Sequence, residues 1–496
     1  MINSSLKANF IIFKRFQSTK IAIIGSGPSS FYTAHELIKK QPNLNISIFE
    51  KLPTPFGLSR YGISPDHNEV KNCEEILINL NEKSQINYYC NVEIGKDLKL
   101  SELKSKFNII IMAYGASLEK KLNIKGENQA YLNGKLFSSK QIVDWYNGYP
   151  ENHLRPPPFD KVKEVTIIGN GNVAMDIARI LLMPLSKLSK TDITNHSYEI
   201  LKSNKVEKIN IIARRGILES SFSTREIREL LKLEEFGIKF EGIKGQDLTL
   251  IKLVKNKFDR ILKRKLDILM EFNSKPKPYQ IPNKFNKFWN LQYLKSPIEI
   301  LSSSDQIEIK FVKNVIKQNS PIESTSNIEQ TNEYEIHKPD LLITSLGYLG
   351  EPLPEFKDLN INFQDGLIKN DNFKILDLNN KPIDGFYVIG WLNSQSKGPI
   401  LNQVLNSSKL SEIILKDIKD GKINQIDDNE VDFKINNKKI LNWQDWEKLN
   451  KFELEFGKEN NKLRWKVPKI DQMIKIIKSD DNKELNELKN ELKEYK

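Results

Sequence analysis

Short apolar runs rich in β-branched residues recur along the chain, separated by longer stretches of helical periodicity. The clearest are Ile21-Ala22-Ile23-Ile24, Ile46-Ser47-Ile48-Phe49, Ile109-Ile110-Ile111-Met112, Val165-Thr166-Ile167-Ile168, Ile209-Asn210-Ile211-Ile212 and Leu341-Leu342-Ile343-Thr344. Each is too short for a globular helix and too apolar for an exposed edge, so each predicts a buried strand. Strands alternating with helices predict parallel sheets joined by right-handed crossovers. The runs at 109–112 and 341–344 lead into Ala113-Tyr114-Gly115 and Ser345-Leu346-Gly347, a strand followed by a glycine turn.

Two of the runs open onto glycine-rich turns, Gly25-Ser26-Gly27-Pro28-Ser29-Ser30 and Gly169-Asn170-Gly171-Asn172-Val173-Ala174. In a strand–turn–helix setting the first glycine bends the chain, and the second lets backbone N–H groups approach a pyrophosphate at a helix N-terminus. The strand downstream of each turn separates the two nucleotides. The second strand after Gly25 ends in Glu50, a carboxylate suited to ribose hydroxyls and repulsive to a 2′-phosphate, which fits FAD or NAD. The equivalent strand after Gly169 ends in Arg214 and Arg215, whose guanidinium forks bind a phosphate, which fits NADP. Two dinucleotides on one chain imply electron transfer between them. The expected fold is α/β, with two Rossmann-like dinucleotide-binding domains, the NADP domain inserted into the FAD domain in a glutathione-reductase-like arrangement. The boundaries expected are a first FAD-domain part at 20–124, the NADP domain at 125–346, a second FAD-domain part at 347–478 and a charged tail at 479–496.

Composition narrows the picture further. At 496 residues, 39% of them hydrophobic, the chain can build two or three cores. No apolar run approaches the roughly 18 residues of a membrane span. The cysteines are Cys73 and Cys90, far from any CxxC, so no disulfide, zinc or iron–sulfur framework and no dithiol centre is expected, and no metal site. Redox chemistry therefore falls to bound cofactors. The net charge of +12 is spread through a chain rich in Lys, Asn and Ile and gives no focused nucleic-acid signal. Arg260, Lys263, Arg264 and Lys265 cluster on one helical segment and Arg225 and Arg228 on another, a pattern read either as solvated faces or as docking for an acidic protein.

The N-terminus reads separately. The first 35 residues lack Asp and Glu, while Lys7, Lys14, Arg15 and Lys20 are interspersed with Phe10, Ile11, Ile12, Phe13, Phe16 and several serines. That is the pattern of a mitochondrial presequence, expected to span 1–19 and to be trimmed near Ser18 or Thr19. Pro156-Pro157-Pro158 forms a stiff connector, the stretches 317–334 and 424–439 read as surface loops, and Leu485, Leu488 and Leu492 put an apolar stripe on a C-terminal helix, read as packing.

Several stretches in order carry a resemblance to the mitochondrial adrenodoxin reductases, FAD-containing NADPH:ferredoxin oxidoreductases, over about residues 20–478. They are Gly25-Ser26-Gly27-Pro28 with Phe31-Tyr32-Thr33-Ala34, Pro55-Phe56-Gly57-Leu58 through Pro65-Asp66-His67, Asn91-Val92-Glu93-Ile94-Gly95, Trp145-Tyr146-Asn147-Gly148, Gly171-Asn172-Val173-Ala174-Met175-Asp176-Ile177-Ala178-Arg179, Lys190-Thr191-Asp192-Ile193 and Asp445-Trp446-Glu447-Lys448-Leu449. For FAD the resemblance implies Gly25, Gly27, Ser29, Glu50, Leu58, Ile94, Trp391, Gly398, Pro399 and Ile400. For NADP(H) it implies Asn170, Gly171, Asn172, Val173, Arg214, Arg215, Glu226 and Gly398. His67 and Asp176 are placed near the flavin as proton-handling groups. The basic segment of Arg260, Lys263, Arg264 and Lys265 falls where the family presents arginines to its 2Fe–2S ferredoxin, which would take electrons one at a time, and Arg225 and Arg228 add charge of the sign opposite to an acidic partner. The implied end uses are iron–sulfur cluster assembly, haem or sterol metabolism, in the mitochondrial matrix or at the matrix face of the inner membrane. A monomer with at most peripheral membrane association is expected.

Two departures stand out. Ser30 occupies the usual third glycine, and between Trp391 and Gly398 the family spacing is kept without the family's basic residue and Gly-Pro pair at their usual places. A flavin electron-input module resembling the glutamate synthase small subunit and a non-catalytic nucleotide-binding protein are the alternatives, and the missing CxxC argues against a thioredoxin-reductase-like enzyme.

Overall fold

The computed structural model describes residues 19–494 apart from 72, 83–85, 151–154, 246–257, 273–276, 278, 281, 283, 304–305, 318–327, 395–400, 425, 427–432, 434, 436–437 and 480. The leader expected at 1–19 therefore lies outside the described residues except for Thr19.

Two sheets organise the chain. The first has seven strands in the order Asn370–Asp371, Lys374–Leu376, Pro382–Val388, Ile109–Met112, Lys20–Ile24, Asn45–Glu50 and Ile86–Cys90. From Pro382–Val388 onward its pairs are parallel. Its central strands, Lys20–Ile24, Asn45–Glu50 and Ile109–Met112, are buried on both sides because both faces are covered. Ile21 and Ile23 join a core with Leu410, Ile414 and Trp446, whereas Ala22 and Ile24 join another with Leu100, Leu103 and Leu392. The two-residue period of a strand sends alternate side chains to those two cores. The C-terminal helix Asn482–Glu494 belongs to the first of them, with Leu488 and Leu492 buried.

The second sheet has six parallel strands in the order Leu136–Ser138, Leu341–Thr344, Glu164–Ile168, Lys208–Ile212, Lys287–Gln292 and Ile238–Lys244. An antiparallel three-stranded sheet, Lys295–Ser302, Ile307–Ile316 and Ile328–His337, packs beside it, with Ile300, Ile309 and Phe311 meeting Ile168, Ile212 and Leu342. The chain passes between the two main sheets twice, and the crossings pair with each other: Leu118–Glu119 lies antiparallel to Tyr348–Leu349. Among the described residues no helix is long and apolar enough to cross a membrane.

Candidate functional site

Both glycine turns lie at the C-terminal ends of parallel strands, where open α/β sheets take their ligands. The two glycines of each turn are there for different reasons. Gly25 has φ +98°, and a Cβ on it would sit 2.6 Å from the Tyr114 Cα; Gly169 has φ +113°, and its Cβ would sit 2.1 Å from the Ser345 carbonyl oxygen. The fold itself demands these two. Gly27 and Gly171, the residues capping the helices Pro28–Lys40 and Asn172–Leu182, have φ of −78° and −81°, which any residue adopts. A Cβ there would meet nothing within 4 Å. The fold does not need these glycines; a group lying close against the bare helix ends would.

The first turn presents groups able to bind a ribose and a pyrophosphate. Glu50 ends its strand in a buried position, one carboxylate oxygen accepting from the Ser26 amide at 3.0 Å and the Ser26 hydroxyl at 2.7 Å, the other from the Leu52 amide at 3.0 Å. These bonds fix the acid at the rim of the turn. Ser29 donates to Gln403 Oε1 at 2.9 Å, and the buried Ser30 hydroxyl has no hydrogen-bond partner among the described residues. The open space before Gly27, the fixed acid and the orphaned hydroxyl all fit a bound adenine dinucleotide. Leu58 is 39% exposed at the start of the short helix Leu58–Tyr61, Ile94 is buried, and Trp391 stacks on Tyr348 with ring centroids 5.8 Å apart. Gly398, Pro399 and Ile400 lie outside the described residues.

The second turn is held to the loop beyond the next strand. Asn170 Nδ2 donates to the Ser220 hydroxyl at 3.3 Å, and Asn172 Oδ1 accepts from the Ser223 amide at 2.7 Å. Val173 comes next, in the first turn of Asn172–Leu182. Arg214 and Arg215 open the same loop, and Arg214 is exposed. Their backbone is anchored from the three-stranded sheet and the turn before it: Asn314 Nδ2 donates to the Arg214 carbonyl at 2.7 Å, and the Leu294 amide to that of Arg215 at 3.3 Å. Glu226 sits in the first turn of Thr224–Lys232, where its carboxylate accepts from the Ser223 hydroxyl.

His67 and Asp176 come together where the two sheets' domains meet, within a charged cluster of five groups. His67 Nε2 lies 2.5 Å from Glu229 Oε2. Arg179 donates to both oxygens of Asp66, at 2.6 and 2.9 Å, and lies 2.8 Å from Asp176 and 3.6 Å from Glu229. Burial pushes the Asp176 carboxyl up to about 6, against the pull of Arg179 and His67. Burial pushes Asp66 upward too, yet the Arg179 bonds and charge hold it at about 2. Sequence reasoning gave no role to Asp66, Arg179 or Glu229. The signal for one of them was the three-residue spacing of Asp176 and Arg179, which puts both on one face of a helix.

The basic residues divide. Arg228, Arg260 and Arg264 are exposed, and Lys263 is half-buried on the same helix as the latter two, Arg260–Glu271. Arg225 is instead engaged with Glu229 at 2.9 Å and with Glu69. Lys265 is a correction to the docking set: it is 7% exposed and its ammonium donates to the Ser220 carbonyl at 2.6 Å. Its position falls on the Leu262, Leu266 and Leu269 stripe, which turns it inward.

Residues 19–245 match the family model described as pyridine nucleotide-disulphide oxidoreductase. The probable mitochondrial NADPH:adrenodoxin oxidoreductase of Saccharomyces cerevisiae is 36% identical over 479 residues, covering 91% of this chain and 95% of that protein. The chain belongs to the NADPH:adrenodoxin oxidoreductase family. The human member, the mitochondrial NADPH:adrenodoxin oxidoreductase, is 29% identical, covering 93% of this chain and 92% of its own. Among solved structures, FprA from Mycobacterium tuberculosis in complex with NADPH superposes with a TM-score of 0.80 at 26% identity, covering 93% of this chain and all of that one. As a member of this family the chain is a mitochondrial oxidoreductase of two-domain dinucleotide-binding architecture.

Proposed function

We propose that the chain takes electrons from NADPH bound at the second glycine turn and delivers them singly, through FAD held at the first, to an acidic 2Fe–2S ferredoxin. The observation that carries this reading is the pair of glycines, Gly27 and Gly171, that the backbone does not require, each beside the discriminating groups for its nucleotide. The FAD site comprises Gly25, Gly27, Ser29, Glu50, Leu58, Ile94 and Trp391 together with Gly398, Pro399 and Ile400. The nucleotide domain spans 125–346, set within an FAD domain of 20–124 and 347–478. When bound, the flavin supplies the conversion of a two-electron donor into one-electron steps.

The chain's own part is to bind, orient and handle protons. Asn170, Gly171, Asn172 and Val173 receive the pyrophosphate; Arg214 and Arg215 grip the 2′-phosphate; Glu226 braces the same loop through Ser223. At the domain junction Asp176, with its carboxyl near 6, can hold or release a proton at working pH, and His67 shares its Nε2 with Glu229. Family membership and the cluster's polarity support this assignment. The protein acts as a monomer, with no more than peripheral contact to the inner membrane.

Gly171→Ala tests the nucleotide turn. The backbone accepts alanine, so stability should change by no more than about 0.5 kcal/mol. The added methyl group stands where the pyrophosphate approaches, so the KM for NADPH should rise about tenfold or more. Thermal unfolding and steady-state kinetics read the two effects. Loss of stability without loss of affinity would contradict the assignment.

Docking is tested by salt. Attraction between Arg228, Arg260, Lys263 and Arg264 and an acidic partner acts on encounter and is screened over about 8 Å at physiological ionic strength. Ferredoxin-dependent cytochrome c reduction should fall steeply from low to high salt, while NADPH reduction of a small uncharged quinone changes little. Charge reversal at Arg260 and Arg264 should reproduce the high-salt defect at low salt. If ferredoxin turnover survives the reversal, docking lies elsewhere.

A further inference from the structure

The helix Arg260–Glu271 has two working faces. Arg260 and Arg264 point to solvent, whereas Lys265 is buried against the loop beyond the strand Lys208–Ile212. Its ammonium donates to the Ser220 carbonyl at 2.6 Å and stands 5.1 Å from the centre of the Phe222 ring. Burial lowers its proton affinity, opposed by Asp259. An ammonium taken out of water is costly unless something holds it, and a charge-assisted bond to a carbonyl is about twice as strong as a neutral one. An apolar residue would suit this stripe better for packing alone.

What Lys265 holds is the segment that grips the nucleotide. Ser220, whose carbonyl it binds, accepts from Asn170 of the pyrophosphate turn through its hydroxyl at 3.3 Å, and shares that hydroxyl with Tyr293 Oη at 2.9 Å. Three residues on, the Ser223 amide donates to Asn172 Oδ1 at 2.7 Å. The other end of the segment carries Arg214 and Arg215 and is anchored by Asn314. Within this loop, Ser220 is 6% exposed and Tyr293 beneath it 1%.

We propose that Lys265 is a positioning residue for the NADP(H) loop, so that one helix presents arginines to the redox partner on its outer face and fastens the nucleotide grip with its inner face. The inference rests on the assignment of NADP(H) to the second glycine turn. Lys265 touches neither nucleotide nor partner; it acts through Ser220 and Asn170.

The test is Lys265→Met in the FAD-loaded enzyme, with NADP⁺ titrated onto the oxidised protein and NADPH turnover followed with a small uncharged quinone. Losing one charge-assisted bond beneath the loop should raise the NADP⁺ Kd and the NADPH KM about tenfold. The kcat at saturation should move by less than about twofold, because the reacting groups are untouched. Lys265→Arg, which keeps a donor, should recover part of the affinity. The Arg214→Ala/Arg215→Ala variant runs alongside. If that variant loses NADP⁺ affinity and Lys265→Met does not, the positioning role is overturned. If neither loses affinity, the nucleotide assignment itself fails. Unchanged nucleotide affinity with a weaker salt dependence of ferredoxin turnover would return Lys265 to the docking face. Should Lys265→Met fail to fold, Tyr293→Phe, which loosens Ser220 from the opposite side, should raise the Kd about threefold; an unchanged Kd there overturns the role equally.

Discussion

Replacing Arg214 and Arg215 together by alanine should lower kcat/KM for NADPH by about 10²–10⁴-fold, since each guanidinium contributes roughly 1.5–3 kcal/mol through charge-assisted bonds to the 2′-phosphate. NADH, which lacks that phosphate, should lose less than about threefold. The variant should then show little preference between the two. The geometry makes this a local change. The Arg214 carbonyl remains tied to Asn314, and the Arg215 carbonyl to the Leu294 amide, so the loop path survives loss of the side chains. FAD should stay bound, because Glu50 and Ser29 belong to the other turn. Parallel steady-state kinetics with both nucleotides measure the effect, and an unaltered NADPH preference would refute the role of these arginines.

The second large effect concerns stability. Arg60 is fully buried and donates twice to Glu453, at 2.6 and 2.7 Å, while Arg464 and the Val467 amide donate to the same carboxylate at 3.1 and 3.0 Å. Trp446 lies 5.2 Å beneath the Arg60 guanidinium. Breaking a buried pair leaves a charge with no counterpart in a low dielectric, at a cost of about 3–5 kcal/mol. Glu453→Ala should therefore unfold at markedly lower denaturant. Arg60 lies in the helix Leu58–Tyr61, so flavin retention should fall with it.

The pH dependence has a defined sign. Burial raises the Glu453 carboxyl, but Arg60 and Arg464 overcome it and hold the group below the usual carboxylate range. A carboxyl with a depressed folded value stabilises the fold above its unfolded value, about 4.3, and that contribution is lost as pH falls through the folded one. Wild type should lose stability as pH drops below about 4.3 more steeply than Glu453→Ala, which has no such group left to protonate. Equal slopes in urea titrations would contradict the pairing.

Much of this was legible in the chain because strands buried on both faces write themselves as apolar runs, and because two nucleotides leave separate marks in glycine, acid and arginine. The order of strands within each sheet was not, since pairing is decided by long-range packing that periodicity does not encode. The cluster of Asp66, Arg179 and Glu229 is hidden for the same reason: its members stand 50 to 163 residues apart. Lys265 is hard to place from the sequence because four basic residues within six positions look like one patch, although only some share a helical face. The Leu262, Leu266 and Leu269 stripe held the answer. The apolar stripe of Leu485, Leu488 and Leu492 does signal packing: Leu488 and Leu492 are buried in the first core and Leu485 is half-buried against it.

An anaerobic spectrum of the purified protein tests directly whether this chain links two dinucleotides to a ferredoxin. The purified protein should show a flavin absorption band that bleaches on adding a stoichiometric amount of NADPH, and the band should return when oxidised ferredoxin is supplied. A protein that carries flavin but does not bleach with NADPH, or that bleaches equally well with NADH, would contradict the account.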